Sequence, residues 1–233
     1  MNGPTIANRR MVLGVGTAFG LSVLGITARA AADKKGEEKE EDVGPGEDLM
    51  REHGVLRRVL LVYGEIGRRL ERGGDFDVAA LQKSARIVRK FIEEYHERQE
   101  EDFVFPRFER AHKLVELVRV LRAQHEAGRR VTERLQGVTA AGVKEPERRR
   151  QLRADLLAFI RMYEPHASRE DTVLFPALRD IVSRSEYDAL GEDFERREHK
   201  VFGQDGFEHA VAEIDAIEKT LGIEDLALFT PKA

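Results

Sequence analysis

The sequence predicts an all-α fold, an up-down-up-down four-helix bundle with two additional C-terminal helices, on three observations. Apolar residues recur at spacings of three and four over long stretches, Gly and Pro fall mostly at segment ends, and two helical segments reappear about seventy residues further on in the same order. With 233 residues, 41% of them hydrophobic and 35% charged, the chain is long enough for one domain with a core plus appended segments.

The first 32 residues hold no acidic side chain. They read as an export signal, with Arg9 and Arg10 followed by an apolar stretch from Met11 to Ile26 and by small residues at Ala28, Ala30 and Ala31. The pair Arg9-Arg10, the Gly-rich core and Arg29 near the cleavage site resemble a twin-arginine signal, which implies passage of a folded chain through the twin-arginine machinery to the periplasm or beyond. Cleavage after Ala30 would remove three arginines and no acid, taking the net charge from −4 to −4 − 3 = −7, with no stable membrane insertion expected afterwards. Residues 33–46 are charged and contain Gly-Pro-Gly, the composition of a disordered linker.

From Asp48 the stripe Leu49, Val55, Leu56, Val59, Leu60, Tyr63, Ile66, Leu70 predicts the first bundle helix, ended by Gly73-Gly74. Asp77 caps the second, whose stripe Leu81, Ala85, Val88, Ile92, Tyr95 carries past Gln99 to Phe103. A third runs through Leu114, Leu117, Val118, Leu121, His125, Val131 and Leu135 to Gly137, and a fourth opens at Glu145-Pro146 and runs through Leu152, Leu156, Phe159, Ile160 and Tyr163 toward His166. The short connections favour antiparallel neighbours, so residues 47–180 form the bundle. Residues 181–233 form the extension, with one helix opening at a capping-box-like Ser185-x-x-Asp188 and a last one over 207–221, both packed outside the bundle.

Composition narrows the function. The absence of Cys excludes disulfides, thiolate zinc sites and iron-sulfur clusters, so any metal must be held by His and carboxylates. Lys and Arg (39) are interspersed with Asp and Glu (43), and no basic block calls for nucleic acid.

The repeat carries the chemistry. His96-x-x-x-Glu100-Glu101 with Phe105-Pro106 reappears as His166-x-x-x-Glu170-Asp171 with Phe175-Pro176, an offset of 166 − 96 = 70. Leu49-x-x-x-His53-x-x-x-Arg57-Arg58-Val59 reappears as Leu121-x-x-x-His125-x-x-x-Arg129-Arg130-Val131, an offset of 125 − 53 = 72. The chain therefore contains two helical hairpins of one design, each supplying two imidazoles and one carboxylate. Residues i and i+4 lie about 6 Å apart along one helix face, so His96 with Glu100, and His166 with Glu170, can point at one interior site. Burying Glu100 and Glu170 costs several kcal/mol per ion unless a cation compensates. A mixed set of imidazoles and carboxylates facing into a four-helix bundle is the setting of di-iron carboxylate proteins, with iron preferred and zinc or manganese as substitutes.

This order of motifs resembles the hemerythrin or HHE cation-binding family over about residues 47 to 180. The resemblance implies His53, His96, Glu100, His125 and His166 as metal ligands. Two departures stand out. The oxygen carriers have a second histidine one turn after the third, where this chain has Arg129, and their last carboxylate lies five residues after the final histidine, which would select Asp171. The internal repeat selects Glu170 instead. Iron-sensing members use an additional carboxylate beside the second histidine, here Glu97. The expectation is an exported protein with two non-heme iron ions: His53 and His96 on one, His125 and His166 on the other, and Glu100 and Glu170 bridging. It would bind or sense O2, NO, peroxide or iron. A di-iron oxidase or peroxidase-like enzyme at the same centre is the alternative. Arg57 and Arg129 are candidates to pair with Glu101 and Asp171, and Tyr95 and Tyr163 lie near the site. His112, His199 and His209 have no repeat partner and read as surface residues.

Overall fold

The structure, a computed structural model, describes residues 43–203 and 206–231. The expected signal and most of the charged linker lie outside the described residues. Among those described there is no strand, and no helix is long and apolar enough to cross a membrane.

Among the described residues six helices follow in order. Helix α1 is Pro45–Glu71, and α2 covers residues 78–110. Helix α3 is Val115–Gln136, and α4 covers residues 146–181. The extension supplies α5, Arg184–Phe202, and α6, Gly206–Leu221. Helix α1 begins earlier than its apolar stripe. Pro45 takes the first turn, where its missing N–H costs nothing, and the Gly46 amide donates to the Tyr187 hydroxyl on α5 at 3.2 Å. The last residues of the expected linker are thus the helix start. Asp77 caps α2 as expected, accepting from the Ala79 amide.

Helices α2 and α4 both run past the points where sequence periodicity ended them. Each contains a π-helical turn at the same place in the repeat, Glu100–Val104 and Glu170–Leu174, followed by an α-helical segment, Phe105–Arg110 or Phe175–Ile181. Pro106 and Pro176 account for this. A proline inside a helix cannot donate to the carbonyl four residues back and its ring crowds that carbonyl, and a widened turn relieves both. A longer π-helical stretch, Val88–His96, leads into the site on α2 and ends on His96 itself.

The capping box of α5 is Ser183 with Glu186, two residues before the expected Ser185-x-x-Asp188. The Ser183 hydroxyl accepts from the Glu186 amide at 3.3 Å, and the Glu186 carboxylate reaches back to the Ser183 amide at 3.0 Å, a span the shorter Asp188 does not make. Both C-terminal helices pack outside the bundle. Phe194 of α5 buries beside Leu49 and Phe105, while Ile214 and Ile217 of α6 seal the face of α1 and α2. Arg58 pairs with Glu218 and Asp215 to fix α6 on α1.

The core consists of two apolar clusters. One holds Val55, Val59 and Tyr63 of α1, Val88 and Tyr95 of α2, Leu135 of α3, and Phe159 and Tyr163 of α4. The other holds Leu49, Val104, Phe105, Leu121, Leu174 and Phe175. Along α1 and α3 the chain passes from the second cluster to the first, and along α2 and α4 from the first to the second. That alternation is the up-down-up-down order. On all four helices the crossing between clusters is made by a buried polar residue: His53, His96 with Glu100, His125, and His166 with Glu170.

Candidate metal centre

All six predicted site residues meet in this one polar layer, none more than 3% exposed. The Nε2 atoms of His53 and His96 lie 3.1 Å apart, and those of His125 and His166 lie 3.2 Å apart. The carboxylates lie across these pairs. Glu100 places Oε1 3.7 Å from His96 Nε2 and Oε2 3.4 Å from His125 Nε2, while Glu170 Oε2 is 3.4 Å from His53 Nε2 and 3.1 Å from His166 Nε2. None of these contacts has hydrogen-bond geometry, so all four carboxylate oxygens are buried with no hydrogen-bond partner. Two groups of three, His53–His96–Glu100 and His125–His166–Glu170, bring their donor atoms close enough to hold one ion each.

Each imidazole is turned to the interior by an acceptor on its outer nitrogen. His53 Nδ1 is 2.7 Å from Asp171 Oδ1, and His96 Nδ1 is 2.7 Å from Glu52 Oε2. His125 Nδ1 is 3.0 Å from Glu101 Oε1, and His166 Nδ1 is 2.9 Å from Gln124 Oε1. The repeat extends to this outer layer, since Glu52 and Gln124 each precede the histidine of their hairpin's first helix, and Glu101 and Asp171 each follow its glutamate. The rings are also held by aromatic faces from the opposite hairpin. Phe175 stacks on His53 at 5.6 Å between centroids and Phe105 on His125 at 5.5 Å, which gives the phenylalanine of each Phe-Pro pair its place. Arg57 pairs with Asp171, and Arg129 with Glu101 at 2.7 Å and with Glu97 at 2.8 Å.

The donor set fits a cation pair. With every Nδ1 on an acceptor, the Nε2 lone pairs of two rings face each other in each half, a repulsive arrangement unless a proton or a metal ion lies between them. Two nitrogens bound at about 2.1 Å and a right angle on one ion would be about 3.0 Å apart, close to both separations. Without a cation the layer must neutralise itself with protons. Burial would lower the pKa of His53, but Asp171 and Glu170 raise it to about 9; His125 is likewise raised well above the ordinary range, against burial, by Glu97 and Glu100. Burial and its neighbour His53 hold His96 well below the ordinary value. Burial and the charge of Glu170 push Glu100 up to about 8, whereas His166 and His53 overcome burial and keep Glu170 well below the usual carboxylate range.

The hemerythrin HHE cation-binding domain family matches residues 45–178, more than half of the chain. The chain belongs to this family. Uncharacterised proteins of Mycobacterium bovis and of two strains of Mycobacterium tuberculosis are 50% identical to it over 195 residues, covering 83% of this chain and 76% of theirs. No solved structure matches significantly. The hemerythrin HHE domain of this chain thus presents two His/Glu groups that could hold a metal.

Glu170 rather than Asp171 joins the inward-facing set, in keeping with the internal repeat. Glu97, the position of the additional carboxylate in iron-sensing members, is buried but faces sideways, accepting from the Tyr163 hydroxyl at 2.7 Å and from Arg129. With Glu101 and His125 it forms a third possible metal-holding group, into which Arg129 projects. Tyr95 lies in the apolar cluster against Phe91 and Phe202. His112, His199 and His209 are exposed, and among the described residues none joins a metal-holding group. Sequence reasoning did not single out Glu52 and Gln124. Their equivalent places in the repeat were the available signal.

Proposed function

We propose that this hemerythrin HHE domain holds two non-heme iron ions, one between His53 and His96 and the other between His125 and His166, with Glu100 and Glu170 bridging them. One observation carries the reading: four inward Nε2 atoms, paired at 3.1 and 3.2 Å, surround four buried carboxylate oxygens that have no hydrogen-bond partner. Nitrogen and carboxylate donors without sulfur suit iron, with zinc or manganese as substitutes. Bound iron would supply a redox-active Lewis acid for a small exogenous ligand, and the burial of all six donor residues restricts that ligand to one as small as O2, NO or peroxide. The chain's own residues fix the site. Glu52, Asp171, Glu101 and Gln124 hold the imidazole tautomers, Phe105 and Phe175 hold the ring planes, and the two apolar clusters exclude bulk water. Sensing of iron itself is the same chemistry read out as occupancy.

A second reading, turnover as an oxidase or peroxidase-like enzyme, is favoured by Tyr163. Its ring lies 5.2 Å from that of His166 and its hydroxyl donates to Glu97; burial and the Glu97 charge hold the resting phenol's pKa well above its ordinary value, and the proton it must lose on oxidation has an acceptor beside it. We further propose export through the twin-arginine route on the strength of Arg9 and Arg10. Replacing both with Lys should leave a reporter fused behind residues 1–32 in the cytoplasm.

Metal analysis of protein produced in folded form, with absorption spectra before and after azide or NO, tests the main reading. About two ions per chain, lost in His96→Ala and His166→Ala, and a spectrum altered by either probe are expected. A wild-type chain that neither carries nor takes up iron contradicts it.

A further inference from the structure

The two halves of the site are built by a repeat but are not identical, and the difference lies one shell outside the inward nitrogens. Glu100 and Glu170 each reach both pairs of histidines, so they cannot distinguish the two positions. The acceptors on Nδ1 can. In the first half both are carboxylates at 2.7 Å, Asp171 on His53 and Glu52 on His96. Asp171 offers Oδ1 to the ring and its other oxygen to Arg57, so the imidazole does not share its acceptor atom. Glu52 is 2% exposed and also takes a longer contact from the Gln99 amide at 3.5 Å. In the second half the position equivalent to Glu52 is Gln124, a neutral amide, 2.9 Å from His166. The carboxylate there, Glu101, uses the same Oε1 for His125 at 3.0 Å and for Arg129 at 2.7 Å, so a guanidinium competes for its charge. Glu97 adds a negative charge on this side that acts on His125 through space, but it accepts from Arg129 and from the Tyr163 hydroxyl and from no ring nitrogen.

A carboxylate on the outer N–H of a ligating imidazole pulls on that proton and raises the basicity of the inner nitrogen, and such partners are typically worth about 10- to 100-fold in metal affinity. An amide does less. We propose that the two cation positions are inequivalent and fill in order: the position of His53 and His96 binds its ion first and about 10- to 100-fold more tightly than that of His125 and His166, with Glu52 and Gln124 as the positioning residues that set the difference. The proposal rests on the reading of the layer as a two-cation site. It gives the centre a tightly held ion and an exchangeable one. A protein of this design can therefore exist with one position filled, its occupancy following the supply of free ferrous iron.

The test is an anaerobic titration of ferrous iron into the metal-free full chain against a chromogenic chelator. Wild type is expected to take up one equivalent tightly and a second more weakly. His166→Ala should keep the tight phase, and His96→Ala should lose it. Glu52→Gln should weaken the first phase by about 10- to 100-fold and bring it toward the second, while Gln124→Glu should strengthen the second. The gain in Gln124→Glu is the readout that a merely structural role would not produce. Two equal equivalents in wild type, or a Glu52→Gln variant that weakens both phases alike, overturns the ordering and leaves the two-ion site standing. No uptake by wild type overturns the two-ion reading and the ordering with it.

Discussion

Replacing Glu100 with Gln in the metal-free protein should make the protein more stable. Glu100 is fully buried, with neither oxygen hydrogen-bonded, and burial together with Glu170 pushes its pKa from an ordinary 4.5 to about 8. At pH 7 the unfolded chain therefore ionises this group and the folded chain does not. Because the folded pKa is the higher one, the folded state binds the extra proton between 4.5 and 8, and stability falls as pH rises through that window. Over the roughly 2.5 units up to pH 7 the cost is about 3 kcal/mol at about 1.4 kcal/mol per unit. Gln has the same shape and does not ionise, and its amide can donate to the Nε2 of His96 while its oxygen accepts from that of His125. For a domain of this size about 3 kcal/mol corresponds to roughly 6–12 °C in Tm. Thermal unfolding followed by circular dichroism on chelator-treated protein measures the shift. The gain should shrink to about 2 °C at pH 5, where little of the window has been crossed. With ferrous iron present the order should reverse, since wild type gains binding energy that the variant lacks. A Glu100→Gln protein that is no more stable than wild type at pH 7 when metal-free would show that Glu100 is not held at the cost of folding.

Further expectations follow from the same layer. The metal-free protein should lose stability as pH rises from 6.5 to 9, because His53 is raised from 6.5 to about 9 and its contribution, complete below 6.5, is lost through its folded pKa; urea unfolding at pH 6.5 and 9 should show the decline, and the iron-loaded protein should not follow it. Iron binding at pH 7 should expel protons from His53, His125 and Glu100, so the calorimetric heat should vary with the ionisation enthalpy of the buffer, and a buffer-independent heat would exclude the displacement. Gly128 packs on Tyr163, where an added Cβ would meet Cζ at 2.8 Å as well as the hydroxyl. Gly128→Ala should therefore push that hydroxyl off Glu97, losing about 1.5–3 kcal/mol against a helix-propensity gain of about 1 kcal/mol. Chemical denaturation should find a smaller penalty in a Tyr163→Phe background, and an unchanged penalty would refute the contact as its cause.

The site was legible because duplication wrote it twice. A single His-x-x-x-Glu on a charged helix carries little information, but His96 with Glu100 and His166 with Glu170 at one offset, each preceded by a lone histidine, leave few arrangements other than convergence. That Arg57 and Arg129 pair with Glu101 and Asp171 was legible for the same reason, but which takes which was not: each arginine reaches the acid of the opposite hairpin, Arg57 pairing with Asp171 and Arg129 with Glu101. Helix ends were less so. Apolar periodicity ended α2 near Phe103, because an interior proline normally stops a helix, yet α2 accommodates Pro106 by a π turn and continues to Arg110. The start of α1 was hidden in a segment whose Gly-Pro-Gly and charges read as linker, since its contact is with Tyr187, 141 residues away from Gly46. Glu52 and Gln124 were obscured by their neighbours in sequence, where a charged or amide residue beside a histidine is ordinarily solvated. Only the three-dimensional position of the Nδ1 atoms assigns them.

Anomalous diffraction at the iron edge, from crystals of iron-loaded protein, addresses the central claim most directly. Two peaks are expected in the polar layer, one beside the Nε2 atoms of His53 and His96 and one beside those of His125 and His166, with Glu100 and Glu170 between them. Iron found only at surface carboxylates, with the layer empty, would contradict the account.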